Sequence, residues 1–165
     1  MDPTDLVMTV ARVWVGVVML AHGLNHARSL DGTASWFAKK GFRFAPVQAR
    51  VSAYGELAIG ASLVAGLLTA VGAMGVVAVT TVAFWSIHRF AGFFVFRRPD
   101  EGYEFVVTLA LAAIAVSTHG AGPWSVDALL GLEDRLNGWT GLLVALSGIG
   151  LAAVQLVSFW RRPSD

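Results

Sequence analysis

The sequence contains no cysteine. Disulfides, thiol relays, thiolate metal sites and cysteine nucleophiles are therefore excluded within the chain. Charge is also scarce: Asp, Glu, Lys and Arg make up 14% of the 165 residues, against about 25% in an ordinary soluble domain. Twelve basic and eleven acidic side chains leave a net charge of +1, so no basic surface points to nucleic acid. Phosphate-cradling glycine loops, a Rossmann fingerprint, HExxH and a Ser-His-Asp order are all missing. What is abundant is apolar: 56% of residues are hydrophobic, and a soluble domain of that composition would expose large sticky patches. The length suits one domain, and the composition indicates a membrane protein.

A helix needs about 20 mostly apolar residues to cross the hydrocarbon core. Five stretches approach that length: 6–26, 51–70, 71 or 72–94, 104–118 and 138–160. The first opens on Asp2 and Asp5, with no basic start and no clear cleavage site after it, so it reads as a span and not as a secretory signal. The second and third are continuous in hydropathy, and a tight turn is expected at 68–72. Five crossings place Arg135 alone on one side. They place Arg28, Lys39, Lys40, Arg43, Arg50, Arg89, Arg97, Arg98, Arg161 and Arg162 on the other. The positive-inside rule then puts the N-terminus outside and the C-terminus in the cytoplasm. Trp36, Trp85, Trp124, Trp139 and Trp160 fall near span ends, as an aromatic belt requires. Two short helices are expected between spans. One covers 33–40, capped by Thr33 and stopped by Gly41, with Trp36 and Phe37 in the headgroup region and Lys39 and Lys40 toward anionic lipid. The other opens at Ser125 and Asp127 and runs to Leu136.

Ionisable groups inside spans are costly and usually paired or functional. At 100° per residue, Arg12, Gly16, Met19, His22, Gly23 and His26 share one side of the first helix, a small and polar stripe that should face protein. Ser52, Glu56 and Gly60 share a face of the second; Thr81, Trp85 and His88 line up in the third; Glu104, Thr108 and His119 lie on one side of the fourth. Alternating helix directions bring His22, His26, Glu56, His88, Arg89, Tyr103 and Glu104 to one level and leave Arg12 and His119 at the other. Several chemistries suit this set. His22, His26, Glu56 and His88 have the ligand types for zinc, iron or manganese. His22 or His26 with His88 can ligate a haem iron. Glu56 can donate or accept a proton. The same residues also suit plain packing and hydrogen bonding between helices, and the basic residues suit topology alone.

The motifs, in their order, resemble those of the DoxX family of small bacterial inner-membrane proteins. Arg12, Gly16 and His22-Gly23 are similar to its first-helix pattern, Trp36-Phe37 and Gly41 to the segment after it, and Glu56 to Gly60 to its acidic second-helix motif. Leu67-Leu68-Thr69, Gly102-Tyr103-Glu104 and the run Gly122-Pro123-Trp124-Ser125-Val126-Asp127 resemble the later motifs, for a coverage of residues 8–128. His26 stands where a lysine is frequent, Ala70 where an arginine is frequent, and the fifth span lies beyond the family's four-helix core. The resemblance implies an all-α, membrane-embedded four-helix bundle over 1–128. An outer-face amphipathic segment and an additional C-terminal helix would follow over 129–165. It also implies an association with redox chemistry, since some relatives are the membrane subunit of a thiosulfate:quinone oxidoreductase and others belong to oxidative-stress complexes. The expected function is a quinone-handling subunit of a larger complex, with Glu56, His22 and His26 as catalytic residues. His88, Tyr103 and Glu104 would join them in binding the quinone. A haem b or metal group is the lesser cofactor expectation. The expected partners are the lipid bilayer and other membrane proteins, and the competing function is a non-catalytic anchor or assembly subunit.

Overall fold

Within a bilayer the backbone must satisfy its own hydrogen bonds, which long runs of Ala, Val and Leu achieve as helices. The described prolines respect this: Pro3 opens the first helix, Pro46 sits in the first turn of another, Pro123 lies in a connecting segment and Pro163 follows the last helix. The computed structural model describes residues 2–96 and 101–163. Its elements are α1 (Pro3–Arg28), α2 (Leu30–Lys39), α3 (Ala45–Ala65), α4 (Thr69–Ser86), α5 (Glu104–His119), α6 (Val126–Leu129) and α7 (Gly138–Phe159). Single 3-10 turns lie at His88–Phe90 and Glu133–Arg135, and among the described residues there is no strand beyond an isolated bridge, Phe42 with Trp160.

Three helices, α1, α4 and α7, are long and apolar enough to cross a membrane. The apolar helix α5 is shorter at 16 residues. Helix α3 has 21 residues but carries Gln48, Arg50, Ser52 and Glu56. Contacts run from α1 to α3, α3 to α4, α4 to α5 and α5 back to α1, while α7 packs on α4 and α5. Val15, Met19, Leu63, Ala73, Val76, Leu109, Ala113 and Ala145 form the shared core. Outward faces remain apolar: Val10 and Trp14 on α1, and Leu143, Ile149, Val154 and Val157 on α7, are all exposed. That surface suits acyl chains and not water.

Glycine lets α1 and α3 approach backbone to backbone. A Cβ on Gly16 would lie 2.9 Å from the Gly60 carbonyl oxygen, and one on Gly60 would lie 2.7 Å from that of Gly16. Of the polar stripe of α1, Arg12, Gly16, Met19 and Gly23 are buried against protein as expected, whereas His22 is exposed and His26 half-buried.

At one end, Arg12 and Asp127 hold the α3–α4 turn from opposite sides. Arg12 Nη1 donates to the carbonyls of Leu63 (2.5 Å) and Val64 (3.1 Å), and Nη2 to that of Trp124 (2.8 Å). These satisfy carbonyls that the end of α3 leaves without intrahelical partners. Asp127 accepts from the backbone amides of Leu68 (2.7 Å) and Thr69 (2.8 Å), acting as a cap for α4 supplied from a distant segment. Leu68 is left-handed (φ 50°), a conformation a β-carbon disfavours, and the Asp127 bond holds it there.

Several boundaries differ from the sequence expectation. The turn lies at 66–68, not 68–72, because Gly66 takes the left-handed position that ends α3. Helix α4 stops at Ser86 instead of continuing to 94. The apolar run beyond it is aromatic and packs irregularly, with Phe93 against Phe94 and Tyr103. The 33–40 helix begins earlier, at Leu30. Thr33 is not its cap; its hydroxyl instead donates to the His26 carbonyl at 3.3 Å. The expected 125–136 helix is only α6, capped by the Ser125 hydroxyl as expected, because Gly131 (φ +65°) breaks it. Arg97 and Arg98 lie outside the described residues.

Candidate functional site

The end opposite the Arg12–Asp127 clasp is where α1 finishes, α3 begins, α4 finishes and α5 begins. A cavity of about 400 Å³ opens there, walled mostly by apolar side chains, with His22, His26, Ser52, Glu56, His88 and Glu101 among its polar groups. The size and the apolar wall with few polar groups are those of small-molecule sites.

Glu56 is 3% exposed, although its position is one turn above the Ser52 hydroxyl, which donates to its Oε1. His26, from α1, directs Nε2 toward the same oxygen at 3.8 Å. The other ring nitrogen of His26, Nδ1, lies 3.5 Å from the Thr33 hydroxyl. Beyond Thr33 is a second recess of about 410 Å³, lined by Asn25, His26, Ser29, Gly32, Thr33 and Trp36. His26 therefore borders both spaces, one nitrogen toward each. His22, one turn earlier, stacks on Phe105 at 5.9 Å between centroids. Its ring nitrogens make no hydrogen bond among the described residues, so both remain available to a bound molecule.

His88 reaches the cavity from the 3-10 turn, its Nδ1 2.6 Å from the Glu101 carbonyl oxygen. That contact requires a protonated Nδ1, which leaves Nε2 as acceptor in the neutral ring. Tyr103 and Glu104, expected in the same cluster, are not among its walls. Tyr103 packs edge-on to Phe84 and Phe93, and a Glu104 carboxylate oxygen accepts from the Val95 amide at 3.2 Å. The reason is that α4 stops at Ser86, so 91–96 folds back over the start of α5 and occupies both side chains. Arg89 is likewise turned aside, over Trp85. At the far end His119 lies 3.2 Å from Asp5, away from the cavity as expected.

Two contributors were not anticipated from the sequence. Glu101 lines the cavity from outside any span, where periodicity carries no signal. Gln155 of α7 also lines it and donates to Gln48 Oε1 at 2.9 Å, a half-buried amide pair joining α7 to α3. Among the described residues no three His, Asp or Glu side chains are grouped to hold a metal ion.

An all-helical membrane protein with a histidine–carboxylate cavity at one end is the class these features define. A family model described as DoxX matches residues 7–89, and the chain belongs to the DoxX family. No curated protein and no solved structure matches the chain. The matched segment spans α1 to the turn after α4, and so contains His22, His26, Glu56 and His88.

Proposed function

We propose that the chain is a redox-associated, quinone-handling membrane subunit of a larger complex in a bacterial inner membrane. The observation that carries this is Glu56 held by Ser52 and faced by His26 on the wall of an otherwise apolar cavity. A lipophilic ring fits such walls, and its carbonyls need the kind of donors this site holds. When bound, a quinone supplies a two-electron, two-proton couple. His22, with an unengaged ring nitrogen, and Glu56, which would hold or release a proton at its carboxylate, are the residues that would hold the quinone. His26 moves that proton between Glu56 and the Thr33 recess. Electrons come from a partner protein, since the sequence has no flavin, nucleotide or iron–sulfur motif.

In this reading the ring α1–α3–α4–α5 is a four-helix membrane bundle and α7 an added crossing, with the N-terminus outside and the cavity at the cytoplasmic end. The clustering of Arg28, Lys39, Lys40, Arg43, Arg50, Arg161 and Arg162 at that end supports this orientation. A partner helix docking on α7, as an anchor subunit requires, would use its small residues Gly141, Ser147, Gly148 and Ala152. Of these, Gly141, Gly148 and Ala152 are buried against the chain's own helices, which leaves Ser147.

The test is extraction of lipophilic quinone from the full chain purified in mild detergent, with binding of added quinone in nanodiscs. Bound quinone, weakened by His22→Ala and Glu56→Gln, is expected. A protein that binds none in lipid overturns the reading, and a Soret band would redirect it to haem b.

A further inference from the structure

Aromatic and basic side chains crowd the cavity end, and two of the guanidinium groups share one ring. The Arg89 guanidinium carbon lies 4.0 Å from the Trp85 ring centroid and 4.4 Å from that of Phe90. The Arg162 guanidinium carbon lies 4.8 Å from the same Phe90 centroid. One ring is therefore shared by two cations, brought from the end of α4 and from beyond the end of α7. The Arg89 Nε donates to the Trp85 carbonyl at 2.7 Å, which fixes its plane. Neither guanidinium has a carboxylate partner among the described residues, and Arg162 makes no hydrogen bond there at all.

The two ring distances keep the cations within a Debye length of about 10 Å at 0.1 M salt, so they repel each other. The aromatic face offsets part of that cost. An anion held at the ring edge, near both cations, offsets the rest, and a phosphate oxygen pair matches the geometry of a guanidinium fork. The ledge beside the pair is apolar: Trp85 is 45% exposed, Phe90 50%, and Val157 on the last turn of α7 73%. A free ion has no use for that ledge, whereas a lipid phosphate stands above acyl chains that lie along it.

We propose that Arg89 and Arg162, with Phe90 between them, bind the phosphate of an anionic phospholipid whose acyl chains lie along the exposed ends of α4 and α7. The site does not depend on the quinone reading, since neither arginine carries any part of the cavity chemistry assigned to His22, His26 and Glu56.

The experiment is native mass spectrometry of the full chain, released from nanodiscs containing equal phosphatidylglycerol and phosphatidylcholine. Retention of phosphatidylglycerol in preference to phosphatidylcholine is expected. A basic residue near a membrane surface contributes about 1 kcal/mol, so Arg89→Gln or Arg162→Gln should each lower that preference about five-fold. Arg50→Gln, which removes the same charge from the start of α3, should leave it unchanged. Both arginines are at the surface end of their elements, and circular dichroism of each variant should match the parent; Arg89→Lys and Arg162→Lys, which keep the charge, should retain most of the preference. The proposal is overturned by equal retention of both lipids, by Gln variants that keep the full preference, or by an equal loss in Arg50→Gln. Displacement of the retained lipid by millimolar inorganic phosphate would also overturn it, assigning the pair to a free anion.

Discussion

Arg12 illustrates how a charge inside an apolar helix is made tolerable. At 1% exposure it has no acidic partner within hydrogen-bonding distance among the described residues, and its donors go to the Leu63, Val64 and Trp124 carbonyls. Arg12→Leu removes these bonds and leaves the end of α3 with unpaired buried carbonyls, for an expected loss of about 2–4 kcal/mol in denaturant unfolding in micelles. Arg12→Lys should recover only part of that loss, because one ammonium does not reach three separate carbonyls as a planar fork does. Glu56 behaves differently. Glu56→Gln keeps an oxygen for the Ser52 hydroxyl, so its thermal unfolding should stay near the parent's while quinone binding weakens. Glu56→Ala leaves Ser52 and His26 without their partner and should cost about 1–3 kcal/mol in the same assay.

Among the elements, α1 and α3 meet across Gly16, Gly23 and Gly60, where backbone approaches backbone. A Cβ at Gly23 would lie 2.8 Å from the Ala53 carbonyl oxygen, so Gly23→Ala forces the helices apart. The expected cost is about 1–3 kcal/mol. Gly150→Ala, where a Cβ meets nothing within 4 Å, should instead leave stability equal or raise it by up to about 1 kcal/mol. Thermal unfolding of the pair separates close packing from intrinsic helix propensity. Element ends show where sequence reasoning stopped. Hydropathy continues to Phe94 as if α4 went on, because it scores side-chain transfer and is blind to backbone direction. Where the chain departs from the helix at Ile87 (φ −132°), aromatic rings pack on one another and on Tyr103 instead.

For the whole molecule, orientation is the property with the simplest test, and the missing cysteines make it direct. Asp134 and Lys39 are both exposed, at opposite ends of the fold. Single Asp134→Cys and Lys39→Cys chains in intact cells should react differently with a membrane-impermeant maleimide. Asp134→Cys should label from outside, and Lys39→Cys only after the membrane is opened; the reverse pattern would invert the topology. The connection that keeps the cavity end together is long-range: the Arg43 amide donates to the Phe159 carbonyl, Arg161 to Gly41, and Trp160 Nε1 to the Lys40 carbonyl.

Apolar length, the small-residue stripe of α1, the level shared by His22, His26, Glu56 and His88, and family membership were all legible in the chain itself. Helical periodicity and the alternation of span direction are local rules, so counting residues suffices to place those groups at one depth. Depth does not specify contact. That His26 rather than His22 faces Glu56, that Tyr103 and Glu104 turn away, and that Asp127 caps a helix 58 residues earlier in the chain depend on rotations of helices about their axes. Those rotations are set by which glycines let backbones touch and by how loops refold on neighbouring elements. Such packing terms involve residues far apart in sequence, and only the tertiary structure decides them.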